Sequence, residues 1–194
     1  MDNQKEEILQ KIEEAEYVLV GLGQEFDMEF FLQSREDYRR IREQLQQQNV
    51  LWLLPYVEAQ FRKQYMPEME AEIEKGLQKL AKVLEKKSYF VVSSSMNHKL
   101  AEVPWKKMLL KKERFVAPCG DWTKKQCPDG CEEGIQTVTE ADEEQLQESF
   151  KKLQTNGFSV PDLGKCPKCG KKLVLNNVYA GRYDEKGYLK TWTE

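Results

Sequence analysis

The chain has 194 residues, of which 40% are apolar and 10% aromatic, enough for one domain or one domain plus a small module. Its 30 basic and 33 acidic residues leave a net charge of -3, which excludes any global pull toward nucleic acid or anionic membrane. No apolar run reaches the roughly 20 residues that span a bilayer, and the polar start Met1-Asp2-Asn3-Gln4-Lys5-Glu6-Glu7 is no secretory signal, so the cytoplasm is the expected compartment.

Residues 6–15 carry Ile8, Ile12 and Ala15 at helical spacing and predict a short amphipathic helix. Tyr17-Val18-Leu19-Val20 follows as a strand and runs into Gly21-Leu22-Gly23. An apolar strand that ends in a Gly-x-Gly turn is a common start for a parallel α/β sheet, with the turn approaching a nucleotide. Residues 28–86 read as charged helices, interrupted near Pro55 and Pro67. Within them Met69, Ile73, Leu77, Leu80 and Leu84 recur at three- and four-residue steps. Tyr89-Phe90-Val91-Val92 is a second buried strand, ending in the polar turn Ser93-Ser94-Ser95-Met96-Asn97. Arg114-Phe115-Val116-Ala117 is a third, ending at Pro118-Cys119-Gly120. A helix is expected over residues 139–154, with Leu146, Phe150 and Leu153 on one face and Thr139 as its N-cap. Asp142 is shorter than the Glu or Gln of a strict capping box, so the cap is expected without its reciprocal bond. A last strand is expected over residues 173–179.

Two cysteine pairs carry the most specific chemistry. Cys127 and Cys131 flank Pro-Asp-Gly, and Cys166 and Cys169 flank Pro-Lys. Each short loop delivers two thiolates to one ion, as a tetrahedral zinc site requires. In a reducing compartment such pairs read as metal ligands rather than disulfides. With all four positions filled by sulfur, the zinc would be structural. Lys124, Lys125, Lys165, Lys168, Lys171 and Lys172 gather around the pairs, with Trp122 nearby. A basic patch with an aromatic is one way to hold single-stranded nucleic acid. Partial neutralisation of a dianionic tetrathiolate accounts for the lysines in this acidic chain, so nucleic acid is not the expected partner.

In this order the pieces resemble the sirtuins, the NAD-dependent protein deacylases. Val18-Leu19-Val20-Gly21-Leu22-Gly23 looks like the family's first strand and its Gly-Ala-Gly loop. Val91-Val92-Ser93-Ser94-Ser95-Met96-Asn97 is similar to the strand that leads into Thr-Gln-Asn-Ile-Asp. Cys119-Gly120 precedes Cys127 where the family has its catalytic His-Gly. The cysteine pairs resemble the family's zinc module, and Leu173-Val174-Leu175-Asn176-Asn177-Val178 its return to the main sheet. The resemblance implies a partial Rossmann-like α/β fold with a helical insertion, over residues 1–118. A zinc-binding module over residues 119–181 and a tail over 182–194 would complete the chain. It implies NAD held by Gly21, Leu22, Gly23, Ser95 and Asn97, zinc held by Cys127, Cys131, Cys166 and Cys169, and an acylated protein or peptide as substrate.

The sequence also departs from the family. Gln24-Glu25-Phe26-Asp27 replaces the Ile-Ser and Pro-Asp-Phe-Arg stretch, and the strands that follow the zinc module in sirtuins have no counterpart after Lys190, as in a shortened member. Cys119 stands at the place of the general-base histidine, so the resemblance assigns no catalytic residue. His98, the chain's single histidine, reads as an ordinary loop residue. The alternative expectation is a non-enzymatic, zinc-stabilised binding or scaffold protein. On that view Cys119 is a small apolar residue beneath the zinc lobe.

Overall fold

Strand β1 (Tyr17–Leu22) pairs in parallel with β2 (Ser88–Ser93), Tyr17 opposite Ser88 and Leu22 opposite Ser93. β2 pairs in parallel with the short β3 (Phe115–Val116), giving the order β1-β2-β3. The structure is a computed structural model that describes residues 2–102, 114–131, 135–155 and 157–185. The outer part of the expected tail, residues 186–194, lies outside the described residues. A helix α1 (Asp2–Glu14) precedes β1.

The β1–β2 connection is the expected helical insertion. It holds α2 (Glu29–Leu32), α3 (Glu36–Gln47), α4 (Leu54–Tyr65) and α5 (Pro67–Leu84), with 3-10 turns at Gln24–Asp27 and Leu51–Leu53. Pro55 and Pro67 lie in the first turns of α4 and α5, where a missing N–H costs nothing. The apolar stripe of α5 lies on one face of the parallel sheet. Leu77, Ala81 and Leu84 pack with Val18, Val20, Tyr89 and Val91, and Leu100 of the short α6 (Lys99–Glu102) joins them. Alternation sends the other side chains of β1 to the opposite face. There Tyr17 and Leu19 are about three-quarters exposed, at 73% and 74%.

A second sheet is antiparallel. β4 (Gly120–Gln126) lies between β5 (Gln136–Thr137) and β6 (Val174–Asn177). The sequence reading assigns no strand to β4 or β5. Helix α7 (Glu140–Gln154) covers this sheet and ends where expected. Its core is shared with the helical insertion. Tyr38, Ile41, Leu45, Trp52 and Phe61 form one buried cluster with Trp122, Leu146, Phe150, Leu153 and Leu175. The Asn177 side-chain amide of β6 donates to the Trp52 carbonyl at 2.9 Å, which ties the sheet to the backbone of the insertion. The cores therefore do not divide at residues 118/119, because α3 and α4 pack with the cysteine-bearing segment rather than with the parallel sheet. Among the described residues no helix is long and apolar enough to cross a membrane.

Polar groups connect the two cores. The buried Arg62 of α4 donates to the Asp27 carbonyl at 3.1 Å and pairs with Glu70 of α5 at 3.3 Å. Glu70 in turn pairs with Lys99 at 2.7 Å. One turn before Arg62, Glu58 accepts from the Tyr38 hydroxyl at 2.6 Å. Burial pushes the Glu58 carboxyl up to about 7, against the pull of that hydrogen bond and of Arg62. A carboxyl raised in the folded state keeps its proton where the unfolded chain loses it. Its contribution to stability is therefore full below its ordinary range and is lost as pH rises toward 7. Glu58→Gln removes this dependence. Urea unfolding at pH 5 and pH 8 should find the wild type losing on the order of 1–3 kcal/mol relative to the variant over that interval. Parallel pH profiles for the two proteins would show that Glu58 titrates normally.

Candidate functional site

The four cysteines come from two knuckles that sequence places far apart. Cys127 directly follows β4, and Cys131 closes its turn. Cys166 and Cys169 sit in a tight turn whose flanks meet in an antiparallel bridge between Lys165 and Lys172. In each knuckle the glycine N–H returns to the first cysteine's carbonyl, Gly130 to Cys127 at 3.0 Å and Gly170 to Cys166 at 2.9 Å. Both glycines have positive φ, 69° and 73°, which a side chain would disfavour. Lys171 of the second knuckle pairs with Asp129 of the first at 2.8 Å.

This folding brings all four Sγ atoms within 4.8 Å of one another, with Cys127 and Cys169 at 3.4 Å. A tetrahedral ion with sulfur at about 2.3 Å spaces its ligands about 3.8 Å apart, so the cluster fits such an ion closely. Cys127 and Cys166 are buried in the shared core, Cys131 is half-buried and Cys169 exposed, so the cluster spans from core to surface. The thiols are electrostatically unequal. Burial works to raise Cys127, yet the Cys131 and Asp129 N–H groups and the neighbouring thiols bring it down to about 7. Cys131 is pushed up to about 12, chiefly because its thiol donates to Cys127. The hydrogen bonds that bring Cys127 down favour its thiolate, and a bound cation would draw protons from the cluster. Four sulfur ligands leave no open position for water or substrate, which suits a structural ion.

A buried ion pair braces this lobe. The Lys125 ammonium of β4 reaches both oxygens of Asp142, at 2.8 and 2.7 Å, and the Leu163 carbonyl at 2.9 Å. Asp142 also accepts from the Thr139 N–H at 2.8 Å, while its own N–H donates to the Thr139 hydroxyl at 3.3 Å. The capping box is therefore complete, contrary to expectation: the aspartate reaches back to the cap. Burial works to raise Asp142, but Lys125 and Thr139 hold its carboxyl below the usual range. Lys125 and Trp122 are thus structural. Trp122 is buried, with its ring edge-on to Tyr56 at 5.3 Å, so it offers no stacking platform for a base.

The expected nucleotide residues meet at the carboxyl ends of the parallel strands. Ser94 N–H donates to the Leu22 carbonyl at 2.9 Å, Asn97 to the Phe26 carbonyl at 3.1 Å, and Ser95 to the Asp27 carboxylate at 2.7 Å. Ser95 and Asn97 are buried, and these contacts hold the two loops together. Gly21 is open, with no atom near the place a Cβ would take. Gly23 is not open. Its N–H donates to Glu25 at 3.3 Å, and a Cβ there would collide with the same carboxylate.

His98 and Cys119 differ from an ordinary loop histidine and an active thiol. His98 Nδ1 accepts from Trp122 Nε1 at 2.9 Å. Burial, with Arg62 and Lys99 nearby, lowers His98 to about 3, so the ring is neutral and joins the β2 loop to β4. Cys119 is half-buried between β3 and β4. Burial, then the Asp27 charge, pushes its thiol up. No family model and no curated protein matches the chain.

Two outcomes follow from this geometry. Cys166→Ser should reduce bound zinc from one equivalent to a small fraction and lower the melting temperature, because the knuckle loses a ligand and a core side chain together. A variant with full zinc and wild-type melting would show that the quartet does not hold the metal. In zinc-loaded protein at pH 7.5, Cys119 should react with iodoacetamide more slowly than an unstructured thiol. Faster modification, read by peptide mass spectrometry, would mark it as activated.

Proposed function

We propose that the chain is a zinc-stabilised relative of the sirtuins, with a nucleotide-type cleft at the ends of its parallel strands and a lobe held by structural zinc. In this reading residues 1–118 correspond to part of a Rossmann-like fold with a helical insertion, and NAD is the ligand class that the resemblance implies. One observation carries it. The Gly-x-Gly turn, the Ser95–Asn97 loop and Cys119 converge at one end of adjacent parallel strands, the usual place for a ligand in an open α/β sheet. The cysteine quartet beside β4 supports the zinc half of the reading.

The catalytic part of the resemblance has weaker support. A sirtuin-type reaction uses a base to activate a ribose hydroxyl, and a base works best with a pKa near working pH. His98 is neutral and accepts from Trp122, and Cys119 is pushed the wrong way. These two residues favour a second reading, a binding or scaffold protein that keeps the architecture without deacylation.

Calorimetric titration of zinc-loaded protein with NAD, alongside nicotinamide release from an acetylated peptide, tests both. Binding at micromolar to sub-millimolar strength is expected, with no release above background. Release at a sustained rate would establish an enzyme, and the scaffold reading would fall. No binding at several millimolar NAD would sink the NAD assignment.

A further inference from the structure

We propose that the cleft between α5 and α6 binds a small organic cation, a primary amine whose apolar body is about the size of a benzene ring. Glu70, Ile73, Glu74 and Leu77 recur at three- and four-residue steps, so they share one face of α5. That face looks across a cavity of about 190 Å³ toward Lys99, Leu100 and Glu102 of α6. The cavity is apolar on one side. Leu77 and Leu100 are buried, Ile73 is half-buried, and all three pack in the core of the parallel sheet. Engineered apolar cavities of about 150 Å³ hold a benzene, so this space admits a ligand and not merely a water. Asn97 closes one wall without offering it a free group. Its Nδ2 donates to the Phe26 carbonyl and its Oδ1 accepts from the Lys99 N–H, so the cleft is separate from the nucleotide reading.

The other side is acidic. Glu74 and Glu102 are exposed at the rim, and neither is paired with a cation among the described residues. Glu70 adds a third carboxylate, and its side chain is only 8% exposed. A carboxylate so placed needs cations beside it. Arg62 donates to Oε1 at 3.3 Å from inside the core, and Lys99 donates to Oε2 at 2.7 Å from outside. The two differ in how firmly they are held. Arg62 is buried, whereas the Lys99 side chain is 49% exposed. An ammonium that keeps half its surface in water is held weakly, so an incoming amine can take Oε2 while Lys99 turns to solvent. A cleft lined by one sign of charge concentrates the opposite ion. Its apolar side then favours a cation with hydrocarbon to bury, and the three carboxylates turn anions away.

The test is an NMR titration of the zinc-loaded full chain at neutral pH with benzylamine, benzyl alcohol and benzoate, which are similar in shape and differ in charge. Benzylamine should shift the amide signals of residues 70–77 and 97–102 and bind about tenfold or more tightly than benzyl alcohol, while benzoate should not bind. Lys99→Ala removes the competing ammonium and should raise benzylamine affinity severalfold. Glu74→Gln combined with Glu102→Gln should lower it about tenfold and leave benzyl alcohol unchanged. All three positions are exposed, and wild-type melting temperatures verify that the variants fold. Equal affinity for benzylamine and benzyl alcohol would show that the carboxylates select nothing, and the inference would fall. Methylammonium shifting the same signals at the same concentrations would reduce the site to surface charge and overturn it as well. No shift at these residues with benzylamine at tens of millimolar would show that the cleft takes no amine.

Discussion

A buried ammonium needs its compensation close by, and Lys125 has it in the two oxygens of Asp142 and the carbonyl of Leu163. Those groups come from β4, the first turn of α7 and the segment that leads into the second knuckle. Removing one member of such a pair commonly costs about 3–5 kcal/mol, because the other charge is left buried. The geometry also fixes position. β4 ends directly before Cys127, and Leu163 lies three residues before Cys166, so the clamp fixes the approach of one knuckle to the other. Asp142 has a second duty as the cap of α7, so the helix start and the clamp form as one unit. The placement of the four cysteines therefore rests on an electrostatic contact as well as on their own two turns.

The lobe is not independent of the rest of the chain. β4 gives Trp122 to the core that α3 and α4 fill, and the indole N–H extends to His98 on the far side. His98 follows the loop that carries Ser95 and Asn97. Arg62 reaches the Gln24–Asp27 turn from α4. The strand-end loops are thus held by groups anchored in the lobe's core, and loosening that core would loosen the loops as well. A chain of 194 residues with two three-stranded sheets gains from such shared burial, since a small sheet alone buries little core.

What could be read from sequence follows the range of the interactions. β1, β2, α5 and α7 were legible because their apolar spacing is local, and the two cysteine pairs because ligand spacing is local too. β4 was hidden. Gly-Asp-Trp-Thr-Lys-Lys-Gln has little β character, and Lys125 looks like a surface residue until Asp142, seventeen positions on, is beside it. The shared core of α3, α4 and α7 joins residues up to about a hundred positions apart, and no periodicity encodes that. His98 reads as an ordinary loop residue for the same reason, because its partner lies on another sheet.

The outer face of β1 has a consequence for handling the protein. Among the described residues β1 is an edge strand, and Tyr17–Leu22 contains neither charge nor proline. Natural edges are usually guarded by one or the other. Tyr17 and Leu19 add an uncovered apolar surface to that open backbone. During refolding, the same strand can meet β2 of its own chain or the edge of a neighbouring molecule. The first event is independent of concentration and the second grows with it. Losses on refolding should therefore grow with protein concentration and take the form of sheet-rich aggregates rather than unfolded chain.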